Sequence, residues 1–263
     1  MPELPEVETV VRRLRKPLVG RTITAVRATW ANSVPTGIPH LERALPKRKI
    51  LSLNRRGKYL KFDLSGGYYL FIHLKMSGDL EIEGQSEAPH PHDRTVFQLD
   101  NKKELRFRDP RKFGRVYLVK NESEVTGKLG PEPLTIEEDS FLNLFKGKKG
   151  RLKPLLLNQE FIVGIGNIYA DESCFQAGIN PKRKVQTLKK EELQRLLKAI
   201  KQILGKAIKF NGSTFDFVYR GGGFQNHFKV YDRKDEPCKR CKTPIKRIIL
   251  GSRSTHFCPK CQR

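Results

Sequence analysis

The sequence predicts an α+β protein with a β-rich amino-terminal half, a helical second part and a small metal-clipped end. Three observations carry that expectation. From Thr22 to about Lys120, short alternating apolar runs are broken by Gly66-Gly67 and Asp100-Asn101, the pattern of an antiparallel sandwich or barrel. Apolar residues then recur at helical spacing. Four cysteines punctuate the carboxy-terminal end in two C-x-x-C steps.

Taken in order, the first element is a helix from Pro5 to Leu18. Val7, Val10, Val11, Leu14 and Leu18 form its apolar stripe, with Arg12, Arg13 and Arg15 between them. Glu6 and Glu8 suit the positive end of the helix dipole, and Gly20 is a natural stop. The strand runs follow over Ile50–Leu64, Tyr68–Ile82, Thr95–Leu99, Glu104–Arg108 and Arg115–Val119. Between Gly127 and Gly150 glycine, proline and lysine punctuate the chain, which reads as a hinge. Leu193, Leu196, Leu197, Ile200, Ile203, Leu204 and Ile208 make a second helical stripe, with Thr187 as its expected cap. The expected domains are 1–126, a linker over 127–150, a helical domain over 151–236 and a finger over 237–263.

Composition narrows the partners. The chain has 263 residues, 37% hydrophobic and 30% charged, enough for a real core without disulfides. Its 52 Lys+Arg against 28 Asp+Glu leave +24, and such an excess favours a polyanion through counterion release. Ribosomal proteins and basic housekeeping enzymes share that balance. No apolar run is long enough to span a membrane and no secretory signal opens the chain, so an intracellular, cytoplasmic setting is expected. Paired cysteines also suit a reducing compartment.

Cys238-Lys-Arg-Cys241 and Cys258-Pro-Lys-Cys261 are sixteen residues apart. Each knuckle offers two thiolates to one ion, and four protein ligands close a tetrahedral Zn²⁺ site, leaving no open position for catalysis. One structural zinc is expected. It would stiffen a hairpin carrying Lys246, Arg247, Arg253 and His256 beside Ile248, Ile249 and Phe257, either as a groove reader or as a stabilising clip. Cys174 is left over as a small buried apolar residue.

Met1-Pro-Glu-Leu-Pro-Glu-Val-Glu8 crowds two prolines and three acids into eight residues. Taken alone it reads first as a proline at a helix start with dipole-matched acids. It also allows different chemistry. Removal of Met1 before a small residue would expose the secondary amine of Pro2, which forms an iminium with a carbonyl-like sugar carbon.

The wider pattern decides between them. That opening, His73-Leu-Lys-Met-Ser-Gly78, Asp109-Pro-Arg-Lys-Phe-Gly114, Gly164-Ile-Gly-Asn-Ile-Tyr-Ala-Asp-Glu172 and the terminal cysteine hairpin follow one another in this order. Together they resemble the formamidopyrimidine-DNA glycosylase family over essentially the whole chain. The resemblance implies an amino-terminal β-sandwich with flanking helices, then a helix-two-turn-helix domain with a zinc-finger β-hairpin. It implies excision of oxidised purines from duplex DNA and cleavage of the abasic strand by β,δ-elimination through a Pro2 Schiff base. It also implies that Glu3 is the acid, that Lys58 contacts phosphate and assists β-elimination, and that Arg253 serves δ-elimination and phosphate binding.

Further residues follow from the same resemblance. Chemistry at C1′ needs the nucleotide out of the stack, and the void must be filled. Met76, Arg111 and Phe113 match the family's intercalating trio, with Arg111 facing the orphan base. His92, Lys148 and Asn167 match phosphate-gripping positions, and His73 and Tyr231 read either as further contacts or as structural residues. Gly164 and Gly166 are expected to let backbone N–H groups approach a phosphate near Asn167. Glu6 would support Pro2 or cap the helix. Ser213 to Phe224, with Arg220-Gly-Gly-Gly223, resembles the lesion-recognition loop. The implied partner is damaged double-stranded DNA, with no membrane and no obligate protein partner, bound by a monomer. Lys75, Arg94 and Asn158 depart from the family pattern without removing a proposed catalytic group. The rival readings are an endonuclease VIII-like glycosylase for oxidised pyrimidines and a non-catalytic zinc protein that binds DNA.

Overall fold

The structure, a computed structural model, describes residues 1–214 and 221–263. These fall into two compact units. The first holds residues 1–2 and 6–128; the second holds 3–5, 129–213 and 222–263.

Helix α1 (Leu4–Leu18) belongs to the first unit from Glu6 onward, and its stripe of Val7, Val10, Val11, Leu14 and Leu18 is fully buried, as its spacing requires. Eight antiparallel strands follow: β1 (Thr22–Ala28), β2 (Arg48–Arg56), β3 (Tyr59–Leu64), β4 (Tyr68–His73), β5 (Asp79–Gly84), β6 (Asp93–Leu99), β7 (Lys103–Arg108) and β8 (Arg115–Val119). A short helix α2 (Ile38–Ala44) covers β1. The sheet order is β5-β7-β6-β1-β2-β3-β4-β8. Its two four-stranded halves meet where β1 pairs with β2 at only two positions, Thr22↔Lys49 and Ile23↔Arg48. One apolar core takes Phe97, Leu105 and Phe107 from one half and Leu60, Phe62 and Ile72 from the other, together with the α1 stripe.

Two expected strands prove to be hairpins or strand pairs. Ile50–Leu64 is broken at Gly57-Lys58, where Gly57 has φ +56 and Arg56 pairs with Tyr59. A two-residue turn of this kind needs the left-handed backbone that glycine supplies. Tyr68–Ile82 is broken after His73, because residues 74–78 leave β4 as a loop before β5 begins on the other half of the sheet.

After α3 (Ser123–Thr126), the second unit is helical. It contains α4 (Glu138–Leu144), α5 (Leu152–Leu157), α6 (Asn167–Ala177) and α7 (Lys190–Lys209). The seven apolar residues of the α7 stripe are buried against α6 and α4. Thr187 does not cap α7. It lies in a preceding 3₁₀ turn with its hydroxyl donated to the Lys184 carbonyl, and the Glu192 carboxylate accepts the Lys189 N–H in its place. The unit ends in a two-stranded hairpin, β9 (Lys246–Leu250) and β10 (Arg253–Phe257). Gly251 and Ser252 turn between them with φ near +58 and +59.

Candidate active site and nucleic-acid interface

The first residues are built into the protein. Met1 is exposed and Pro2 is buried. Glu3 is 3% exposed and belongs to the second unit, where its carboxylate accepts the N–H of Gly166 at 2.6 Å and of Ile168 at 3.1 Å. These N–H groups open α6, whose dipole favours negative charge. The motif glycines are required here. A Cβ on Gly166 would lie 2.7 Å from Glu3 Oε2, and one on Gly164, whose φ is +87, would lie 2.7 Å from Leu4 Cδ1. The Leu4 N–H donates to the Gly164 carbonyl at 3.0 Å. The N–H groups of both motif glycines are thus taken within the protein. The Gly164 N–H goes to Gln159 Oε1, and those of Gly166 and Ile168 go to Glu3.

Lys58 occupies the β2–β3 turn and is buried at 4% exposure. His73 closes β4, buried against Tyr59 with ring centroids 4.6 Å apart. Burial, then the charges of Lys75, Lys58 and Arg115, push its pKa down to about 3. The neutral ring can therefore accept, and His73 Nδ1 takes the Lys75 N–H at 2.9 Å. Lys75 has φ +54, a left-handed conformation that favours glycine.

Two loops of the first unit are pinned by one acid. Asp109, 1% exposed, accepts the Ser77 hydroxyl at 2.5 Å, the Arg111 N–H at 3.2 Å and the Gly114 N–H at 2.7 Å. Cβ atoms on Gly78 or Gly114 would each reach within 2.7 Å of the Phe107 ring. The loops thus anchored present Met76 and Phe113, 43% and 45% exposed, and the Arg111 guanidinium lies 5.1 Å from the Phe113 ring. Exposed apolar side chains on loops held this firmly are not core residues. His92 is half-buried, its Nδ1 3.1 Å from Arg94 Nη2, while Arg94 Nε donates to the Asp109 carbonyl at 3.0 Å. Arg94, a departure in sequence, thus ties the His92 segment to the Asp109 segment.

In the second unit Lys148 is exposed after α4, and Arg253 is exposed beside the hairpin turn. Asn167 opens α6 with Nδ2 3.3 Å from Ser254 Oγ. Tyr231, whose pKa is raised chiefly by burial, bonds to the Asn167 side chain and meets His256 edge to face with ring centroids 5.3 Å apart. His256 does not join the basic face of the hairpin. It is buried, with its N–H donated to Asp171 Oδ2 at 2.9 Å. Lys246, Arg247 and Arg253 remain exposed, as does Ile249. Part of the expected lesion loop, residues 215–220, lies outside the described residues.

The four cysteine Sγ atoms lie within 4.8 Å of one another, with Cys238–Cys261 at 3.9 Å and Cys241–Cys258 at 3.4 Å. A tetrahedral Zn²⁺ with Zn–S bonds of about 2.3 Å separates sulfurs by about 3.8 Å. The donor set fits one zinc, and with four thiolates the site is structural. Cys238 and Cys258 pack with Phe175, Val230 and Ile245, so the metal clip is continuous with a small apolar core.

A β-sandwich unit, a helical unit and a Cys₄ finger define a zinc-finger protein of the helix-two-turn-helix class. Residues 1–116 match the formamidopyrimidine-DNA glycosylase N-terminal domain, 129–218 its H2TH domain, and 235–263 the zinc finger found in FPG and IleRS. A formamidopyrimidine-DNA glycosylase of Herpetosiphon aurantiacus is 43% identical over the full length of both chains. The crystal structure of wild-type Lactococcus lactis Fpg (MutM) with N7-benzyl-Fapy-dG DNA matches at TM-score 0.93 and 36% identity, covering both chains completely. A structure of MutM with carbocyclic 8-oxo-G DNA matches at 0.92 and 36%, with the same coverage. The chain belongs to the formamidopyrimidine-DNA glycosylase family.

Proposed function

We propose that the protein is a base-excision repair enzyme, a DNA glycosylase with abasic-site lyase activity that removes oxidised purines from duplex DNA. The observation that carries this reading is the anchored Glu3 carboxylate directly after Pro2, buried and aimed by two N–H groups of α6. A helix start alone gives no reason to hold an acid 163 residues away from its donor. A preorganised acid beside an amine nucleophile does.

With Met1 removed, the Pro2 nitrogen attacks C1′ of the damaged nucleotide and the C1′–base bond breaks, the base leaving with the bonding pair as its anion and taking a proton from water. The nitrogen's proton passes to Glu3, and Glu3 returns it to the ring oxygen as the C1′–O bond opens. The product is an iminium to an open-chain sugar. Loss of a C2′ proton then expels the 3′ phosphate, and a second elimination expels the 5′ phosphate. Lys58 and Arg253 serve these steps by binding the phosphates that leave. Met76, Arg111 and Phe113 fill the space of the extruded nucleotide, and His92, Lys148 and Asn167 grip the backbone. Zinc holds the finger in shape and takes no part in the chemistry.

Borohydride trapping on an 8-oxoguanine duplex tests the reading. The parent protein should give a covalent adduct, and Pro2→Gly should form it much more slowly while still binding DNA. Trapping at the parental rate would remove Pro2 as the nucleophile. A thymine glycol duplex cleaved faster than the 8-oxoguanine duplex would favour the pyrimidine enzyme instead.

A further inference from the structure

We infer that Lys153 and Asp171 are positioning residues for the strand-cleavage step, a buried ion pair that holds the Arg253 strand to the helices of the second unit. The inference rests on the proposed role of Arg253.

Both side chains are completely buried, with Lys153 Nζ 2.7 Å from Asp171 Oδ1. Lys153 lies outside every motif quoted above, Asp171 lies in the Gly164–Glu172 motif without a role of its own, and neither is one of the four cysteine ligands. Lys153 Nζ also donates to the Ser254 carbonyl at 2.6 Å, and Asp171 Oδ2 accepts the His256 N–H at 2.9 Å. Residues 254 and 256 are two apart and expose their peptide groups on the same edge of β10. The opposite edge pairs with β9, where Arg253↔Leu250 and Thr255↔Ile248 are in register. The ion pair therefore stands where a third strand would be. Asn167, at the start of the helix that bears Asp171, adds a contact to Ser254 Oγ. Arg253 immediately precedes this clamped segment and follows a turn with two left-handed residues.

Stability alone does not account for such a pair. Two charges lose their hydration on burial, and apolar replacements of similar size are often no less stable. What an apolar pair cannot do is donate to one peptide of β10 and accept from the next. Burial lowers the Lys153 pKa, opposed first by Asp171, so the ammonium depends on its partner. The pair supplies direction: it fixes the strand and with it the origin of the Arg253 side chain.

The test uses full-length, zinc-loaded protein on a duplex with one abasic site, reading the ratio of δ- to β-elimination product and the rate of borohydride trapping. Lys153→Met should lower the δ/β ratio about tenfold and leave trapping within about threefold of the parent, with one zinc retained. Lys153→Gln, which keeps an amide donor, should lower the ratio less, about threefold. An unchanged ratio in either variant overturns the inference, as does trapping that falls in parallel with the ratio. If Lys153→Met does not fold, Lys153→Gln decides on the same criterion. Arg253→Ala separates the two readings. A δ/β ratio lowered by Arg253→Ala but not by the Lys153 variants sinks the positioning role alone, whereas an unchanged ratio in Arg253→Ala sinks the role of Arg253 itself.

Discussion

Gly166→Ala probes the Glu3 cradle without touching a titratable group. Gly166 has φ −131 and ψ −157, an extended conformation any residue adopts, so the added methyl brings no backbone strain. It brings a collision. The new Cβ would lie 2.3 Å from Glu3 Cδ, whereas an ordinary contact needs roughly 3.5 Å, so the carboxylate must retreat by about 1.2 Å. Retreat breaks the 2.6 Å bond from the Gly166 N–H. A hydrogen bond to a charged group contributes about 1.5–3 kcal/mol, so stability should fall by about 2 kcal/mol, roughly 5 °C in Tm. The rate should suffer more, because a misplacement of about 1 Å can cost on the order of 10²-fold. Single-turnover excision of 8-oxoguanine, measured beside Glu3→Gln, is the assay. The expected result is a fall of about 10²-fold, with binding to a duplex bearing an abasic-site analogue changed only slightly. Excision at the parental rate in a folded Gly166→Ala protein would refute the claim that cradle geometry matters.

Chelation of zinc should weaken DNA binding more than it unfolds the first unit, since the metal clips only the small cluster around Phe175, Val230 and Ile245; unchanged affinity by fluorescence anisotropy would take the finger out of the interface. Affinity should fall on the order of 10³-fold between about 50 and 200 mM salt if roughly six phosphates are contacted, and a flat titration would contradict binding through phosphates. Lys75→Gly should raise stability by about 1 kcal/mol by relieving the φ of +54, which thermal or urea unfolding will show. His73 is held neutral with its folded pKa near 3 against an unfolded value of about 6.5. The unfolded chain binds the extra proton in that window, so stability is lost as pH falls from about 6.5 to 3, with a slope of up to about 1.4 kcal/mol per pH unit. His73→Gln should flatten unfolding curves measured across this range; equal slopes would place the titration elsewhere.

Much of this protein is legible because its signals are local. The α1 and α7 stripes follow from residues three and four apart, and the finger follows from two C-x-x-C knuckles. The hairpin at Gly57-Lys58 is missed by a reading of alternation, because Ile50–Leu64 keeps its rhythm through a turn that differs only in backbone sign. Thr187 is misread as a cap because Glu192 supplies the acceptor from inside α7. Asp109, Lys153 and Asp171 carry no sequence signal for what they do. An aspartate that pins two loops, or a lysine that stands in for a strand, looks like any other charged residue until burial is known.

By itself, the sequence determined the periodicity, the metal chemistry, the polyanion preference and an ordered set of motifs. Each depends on the identities and spacings of residues close together in the chain. Tertiary structure alone decided what the motif glycines are for. Gly166 is a glycine because a carboxylate 163 positions earlier occupies the space of its missing side chain. Such close approaches are set by packing between distant segments, and spacing along a chain carries no record of them.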